Sequence, residues 1–359
     1  MMDSPSTAPA DPDTSTAAIR IARLETDADL ARWDAFVDRH PEATFFHRAG
    51  WKQVLEQGLG HRAPFLYAER DGELCGILPL GEIRSLLFGR ALISTPFCVY
   101  GGAVADDPEV RGLLEAEACR LAETAGVGHL ELREREPHHP EWPGKALYAT
   151  FRRAIDPDPE RNLQQIPRKQ RAMVRKGIKA GLSSRFDDGV DALYRVYSES
   201  VRNLGTPVFP RRYFRVLKQV FGDDCEVLLV EHQGALVSGV MSFRFRDEVL
   251  PYYGGGTQAA RALKANDFMY WEVMRRACVD GARTFDFGRS KRGTGAFDFK
   301  RNWGFEPEPL HYAYRLVRAS ELPDVNPLNP KYRLFIAAWK RLPLPLSQLI
   351  GPLLARNLG

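Results

Sequence analysis

Cysteine is scarce and forms no pattern: Cys75, Cys98, Cys119, Cys225 and Cys278 are odd in number and widely spaced. That excludes a disulfide framework and a cysteine-based metal site, and it favours reduced thiols packed as small apolar residues in a cytoplasmic chain. Long apolar runs are missing too, since nothing approaches the roughly 18–20 residues that span a bilayer. Neither sign of charge prevails. The 50 Lys and Arg against 46 Asp and Glu leave a formal +4, too even for wholesale nucleic-acid or membrane binding. Any basic patch must therefore be local. There is no Gly-x-Ser-x-Gly elbow and no cysteine in an activated setting, which argues against a nucleophilic hydrolase. Without zinc spacing or a helix-turn-helix, no DNA partner is expected. The opening MMDSPSTAPADPDTSTAAIR lacks the basic and apolar regions of a secretory signal, so residues 1–17 read as a disordered leader.

What is present is a chain of 359 residues, 44% of them hydrophobic, enough for more than one core. It also repeats itself weakly. Phe45 to Gly60 parallels Val208 to Asp223, each an aromatic-anchored helical pattern. Leu66 to Leu80 parallels Leu229 to Phe243, each two strand-like runs joined at Asp71-Gly72 or Gln233-Gly234. Val99 to Gly102 parallels Tyr252 to Gly256, each predicted to end a strand in glycines before a helix and a further strand. In the first half Asp107-Pro108 starts the helix and Gly126 stops it; in the second, Asn266 or Asp267 is the expected cap and Gly281 the stop. Strand, helix and parallel strand occurring twice imply two related α/β units. Between them Asp156-Pro157-Asp158-Pro159 marks a break, followed by Arg161 to Arg185, a basic stretch without one acidic residue.

Ligands of open α/β sheets bind beyond the carboxyl ends of strands. That rule selects two loops. In Gly254 to Ala265, Gly254 and Gly255 permit close backbone approach, while Arg261, Lys264 and the helix start at Asn266 suit a phosphate. Asp286 to Phe305 is denser in chemistry, with Asp286, Arg289, Ser290, Asp298 and Lys300 set among glycines and aromatics such as Trp303. The end of the chain, from Asn326, mixes apolar helical stretches with Pro343, Pro345 and Pro352. It is expected to pack on the second unit, with a membrane-surface or partner-docking segment as the alternative.

Tyr252-Tyr253-Gly254-Gly255, DFGRS at Asp286 to Ser290, GTGAFDFKRNWGFEP at Gly293 to Pro307 and IPRKQRAMVRKGIKAGL at Ile166 to Leu182 together resemble the FemAB-like family. Within it, the closest likeness is to the subgroup associated with exosortase/PEP-CTERM exopolysaccharide systems. The resemblance spans roughly residues 20 to 345 and implies an α/β (α+β) fold of two tandem GNAT-like domains, each a mixed central sheet flanked by helices. The expected division is a first domain over 18–155, a basic linker or helix over 156–185, a second, catalytic domain over 186–320 and a tail over 321–359. The family implies transfer of an acyl or aminoacyl group to an amine. Acyl-CoA or aminoacyl-tRNA would be the co-substrate, with no tightly bound cofactor and no metal. The acceptor would be an amine-bearing envelope or glycan precursor, and the place the cytoplasm, with the inner face of the membrane as the alternative. By resemblance the family lysine falls on Lys300, acting on the donor ester or developing oxyanion. The basic helix falls on Arg168, Arg171 and Arg175, and the first-domain anchor on Trp51. The chain departs from the wall-precursor enzymes in placing Lys52 directly after Trp51 and in lacking a long helical-hairpin arm.

Direct acyl transfer needs a deprotonated amine and a stabilised oxyanion. Backbone N–H groups at Tyr253 to Gly255 with Lys300 are the candidate oxyanion site, and Asp286 or Asp298 the candidate base. Arg289, Ser290, Arg261, Lys264, Asn266 and Trp303 complete the candidate substrate contacts. A non-catalytic phosphoglycan-binding module is the alternative from a different class.

Overall fold

The computed structural model describes residues 18–85, 89–323 and 333–358; the predicted leader and part of the tail lie outside them. The first half begins with a four-stranded sheet in the order Arg20–Arg23, Leu66–Arg70, Glu73–Leu78, Val104–Ala105. Pro79 interrupts the third of these strands, and the chain continues as Leu80–Ser85 into a five-stranded sheet with Gly89–Ser94, His129–Glu134, His311–Leu316 and Gly144–Lys145. Proline lacks the N–H that a continuous ladder needs. The second half is one six-stranded sheet in the order Arg152–Ala154, Thr284–Asp286, Glu248–Gly256, Ala235–Phe245, Cys225–His232, Leu182–Asp187. A small sheet of Ser290–Lys291, Tyr148–Thr150 and Glu308–Pro309 lies at the junction.

Local chemistry explains the repeated units. Both hairpins turn on two residues in the left-handed region, Asp71 and Gly72 (φ 53 and 84) and Gln233 and Gly234 (φ 51 and 78), the turn whose twist suits paired strands. The helix Pro108–Ala125 starts where Asp107 accepts from the Val110 N–H at 2.9 Å and ends on Gly126 in the left-handed region. The second-half helix, Ala265–Val279, corrects the sequence expectation. Its N-cap is Lys264 at φ 59, and neither Asn266 nor Asp267 caps it. A short helix, Gln258–Leu263, precedes it and leaves no extended residue there for a side-chain cap.

The third repeated stretch also differs between the halves. Tyr252 to Gly256 lies within a strand, whereas Val99 to Gly102 is loop, because the strand before it stops at Ser94. Thr95 and Phe97 then take positive φ around Pro96 and carry the chain out of the sheet.

Two strands cross the division expected near residues 155 and 320. Arg152–Ala154 pairs antiparallel with Thr284–Asp286 of the second half, and His311–Leu316 pairs antiparallel with His129–Glu134 of the first. The halves also share their largest buried cluster, which joins Trp33, Phe45 and Trp51 to Phe214, Phe221 and Phe243. Phe45 stacks on Phe243 with ring centroids 4.5 Å apart. The helical repeats meet there: a Cβ on Gly50 would lie 2.6 Å from Val220 Cγ1. Separate clusters fill the outer face of each sheet.

Candidate active site

In the second half the parallel pairing is brief, joining Glu248 to Thr284 and Val249 to Phe285 before the strands part. A register shift between Met241 and Ser242 leaves Tyr252 as the extra, bulged residue just past the split. Such bulges re-aim side chains, and the Tyr252 hydroxyl donates to the Phe97 carbonyl of the first-half loop at 3.0 Å. The same loop sends Tyr100 to Asp286, whose Oδ2 accepts from the Tyr100 hydroxyl at 2.8 Å. Oδ1 of Asp286 accepts from the Thr150 hydroxyl at 3.3 Å and from the Gly288 N–H at 2.6 Å. Arg152 closes the cluster, 3.4 Å from Asp286 Oδ2 and donating to Glu248 at 2.8 Å. Burial first, and then the charge of Asp286, push the Glu248 carboxyl up.

Lys300 stands beside this cluster on the helix Gly295–Asn302, which is capped where the Thr294 hydroxyl accepts from the Phe297 N–H at 3.4 Å. Its ammonium donates to the carbonyls of Gly288 and Arg289, each at 2.9 Å. Burial lowers its pKa to about 7, although the charge of Asp286 pulls the other way.

The two candidate bases fare differently from expectation. Asp286 is wholly buried and both its oxygens accept hydrogen bonds from the fold, so it holds the junction rather than standing free as a base. Asp298 is exposed; two residues from Lys300 on one helix, it points about 200° away. Tyr253 is core, its hydroxyl 2.7 Å from that of Tyr213. Trp51 and Trp303 are also core, donating from their indole nitrogens to the Phe45 carbonyl at 3.1 Å and to Asp267 at 3.2 Å. Amphipathic aromatics satisfy their polar atom when buried, and sequence does not show which way such a ring faces. Gly254 and Gly255 admit the protein's own groups, since a Cβ on them would lie 3.0 Å from the Tyr270 hydroxyl and 2.6 Å from Ser200 Cβ. Ser290 is buried with its hydroxyl unpartnered.

The remaining candidates fall into two places. A cavity of about 460 Å³ is lined by Gly256, Arg261, Lys264, Asn266, Asp267 and Phe299. The basic helix Arg168–Lys179 packs beside it through Gly177, whose added Cβ would lie 3.4 Å from the Lys264 carbonyl oxygen. Arg168 and Arg175 are exposed on that helix, and Arg171 donates to the Gln164 carbonyl at 3.1 Å. On the other side, Arg289 donates to the Tyr312 hydroxyl at 2.8 Å and lies over the Tyr148 ring, 4.8 Å from its centre. These three residues line a second cavity of about 370 Å³ that also takes in Glu131, Arg133 and Lys291. Lys52, the departure noted next to Trp51, is taken up by Glu56 at 2.5 Å.

Sequence reasoning missed Thr150, Arg152, Glu248 and Tyr312, which no local motif marks. Tyr100 carried a signal as the repeat counterpart of Tyr253, but the two play opposite parts, one at the junction and one in the core.

The first half has a split of the same kind, with parallel pairing of Ala91 to His129, Leu92 to Leu130 and Ile93 to Glu131. Two such splits, one in each half, make the architecture a tandem of similar α/β units. Residues 164–301 match the family described as acetyltransferase (GNAT) domain. The fold is similar to the crystal structure of FemX (TM-score 0.64, 16% identity, 88% of this chain and 100% of that one). It is similar as well to the C-terminal domain (DUF2156) of a putative lysylphosphatidylglycerol synthetase from Agrobacterium fabrum (TM-score 0.55, 15% identity, 80% and 91%). A tandem GNAT protein from the clavulanic acid biosynthesis pathway shares the fold too (TM-score 0.53, 14% identity, 85% and 100%). No curated protein matches the chain.

Proposed function

We propose that the protein is an N-acyltransferase of the FemAB-like kind. It would move an acyl or aminoacyl group from a phosphate-bearing donor, acyl-CoA or aminoacyl-tRNA, to an amine of a cell-envelope or exopolysaccharide precursor. The observation that carries this reading is that Lys300 is tied to residues lining two different cavities. Its neighbour Phe299 lines the cavity beside the basic helix, and its ammonium holds the backbone of Arg289, which lines the other. The basic side suits the donor's phosphates, and the aromatic and charged side suits the acceptor. The GNAT match over residues 164–301 supports acyl transfer. Fold similarity to a putative lysylphosphatidylglycerol synthetase supports an aminoacyl group and an envelope acceptor, while the link to exosortase/PEP-CTERM systems rests on sequence resemblance.

In the reaction, the acceptor's neutral amine attacks the donor carbonyl, the amide C–N bond forms, and the thioester C–S or ester C–O bond breaks. The leaving sulfur or oxygen receives a proton, and the amine loses one. Two hydrogens of the Lys300 ammonium are committed to carbonyls, and the third is left to meet the oxyanion. Beyond Val249 the strand Glu248–Gly256 has no sheet partner among the described residues on the side facing the split, so its backbone donors there supply the remaining stabilisation.

Thermal shift of the purified protein against acetyl-CoA, charged and uncharged tRNA and UDP-sugars at two salt concentrations tests the donor. A ligand at 100 times its Kd stabilises by about 2.7 kcal/mol. A response to charged tRNA is expected to fade steeply with salt, because it runs through Arg168, Arg171 and Arg175. A salt-insensitive response to acyl-CoA, lost in an Arg261→Ala/Lys264→Ala variant, would assign the other donor. Silence across the panel would favour a phosphoglycan-binding module.

The tail supports a place at the inner membrane face. Its helix Leu344–Ala355 packs on the helix Asp191–Leu204, where Gln348 donates to Ser198 at 2.7 Å. Leu346, Leu349 and Leu353 stay exposed along one side, Leu349 by 73%, and no helix among the described residues is long and apolar enough to cross a membrane. Cosedimentation with anionic vesicles is expected, and Leu349→Glu/Leu353→Glu should abolish it at unchanged Tm.

A further inference from the structure

Three groups from separate elements converge beside the first-half sheet. Glu115 lies on the helix Pro108–Ala125, Glu134 ends the strand His129–Glu134, and His139 sits in the loop that follows. One ligand atom from each lies within 4.8 Å of the others. His139 Nε2 is 3.3 Å from Glu115 Oε1 and 3.9 Å from Glu134 Oε1. Glu115 is only 8% exposed and Glu134 only 5%. Even so, Glu115 Oε1, both carboxyl oxygens of Glu134 and His139 Nε2 are buried without a hydrogen-bond partner, so the 3.3 Å approach is not aligned as a hydrogen bond. Buried carboxylates are normally paired, hydrogen-bonded or bound to a metal. Arg111, which faces the same cavity as Glu134, is engaged by the Ala103 carbonyl at 2.5 Å and by Glu42 at 3.0 Å.

We propose that Glu115, Glu134 and His139 bind a divalent transition-metal cation of the zinc or manganese kind. Two carboxylates and a neutral imidazole carry two negative charges, which one such ion neutralises. A mixed oxygen and nitrogen set favours these metals over calcium or magnesium, which take oxygen ligands. Bonds of about 2.0–2.2 Å place neighbouring tetrahedral ligands roughly 3.3–3.6 Å apart, so the pair at 3.3 Å already fits, while Glu134, 3.9 Å from His139 and within 4.8 Å of Glu115, has to move inward on binding. The imidazole is held for the task. It stacks on Trp142 with centroids 4.4 Å apart, and the carboxylate of Glu141 lies 3.7 Å from its Nδ1, an ion-pair distance longer than a hydrogen bond. A cavity of about 280 Å³ lined by Glu134, His138 and His139 gives an entry path and room for water to complete the shell. Glu134 also packs against Gly102, two residues from Tyr100, so an ion here would brace the loop that joins the halves.

The test uses full-length protein without a histidine tag, stripped with chelator, then titrated with Zn²⁺ and Mn²⁺ by calorimetry and with Co²⁺ by absorption. One equivalent is expected to bind, raising Tm, and the Co²⁺ spectrum should lack the intense thiolate charge-transfer band that any of the five cysteines would give. Glu134→Gln and His139→Gln should each weaken binding by at least about 100-fold. Metal-free Glu134→Gln should be about as stable as wild type, because the amide keeps the shape of a buried carboxyl group whose oxygens have no hydrogen-bond partner. The proposal is overturned if wild type binds none of these ions, or if both variants bind as wild type does. Neither readout depends on acyl transfer, so the result stands apart from the functional reading.

Discussion

Lys300→Met is expected to lower kcat/KM for amide formation by about 10²–10³, the usual cost of one lost oxyanion donor, with little change in donor binding. Methionine fills the same space and keeps the stem's apolar contacts, so the loss reports the ammonium. The pH profile then identifies which form acts. Burial lowers the Lys300 pKa to about 7, so the ammonium is present below that pH and disappears above it. If the third N–H serves the oxyanion, wild-type kcat/KM falls as pH rises through about 7. A limb rising through the same pH would make the neutral amine the base and overturn the assignment. Turnover unchanged in the variant, or a loss of affinity alone, would point to a binding module.

Asp286→Ala should cost about 3–5 kcal/mol of stability, the range for removing one member of a buried ion pair. The carboxylate is wholly buried and gathers Tyr100, Thr150, Arg152 and the Gly288 N–H, joining three stretches of chain. Its removal leaves Arg152 between Glu248 and an apolar methyl group. Urea unfolding followed by tryptophan fluorescence should show the shift in one transition, since the halves share a core. Tyr100→Phe should cost less, about 1–2 kcal/mol, and the double variant less than the sum, as expected of contacting partners. A loss below about 1 kcal/mol in Asp286→Ala would return Asp286 to the list of candidate bases.

Features legible in the sequence were those whose cause is local. Asp71-Gly72 and Gln233-Gly234 specify hairpins because few residues tolerate two successive left-handed positions. Asp107 and Gly126 bound a helix by capping it. Misreadings arose where a residue's surroundings come from elsewhere in the chain. Trp51 and Trp303 have the composition of a binding site and the burial of a core. Asp298 sits two residues from Lys300 in sequence and on the opposite side of the same helix.

The sequence by itself determined the tandem α/β units, their turns and helix ends, and the basic helix, because backbone preference and periodicity act over a few residues. Only the tertiary structure decided that strands 152–154 and 311–316 change partners, that Tyr100 reaches Asp286 across 186 positions, and that Lys300 holds the carbonyls of Gly288 and Arg289. The pairings between segments far apart in the chain come from the two halves burying one shared core, and no stretch of sequence contains both partners.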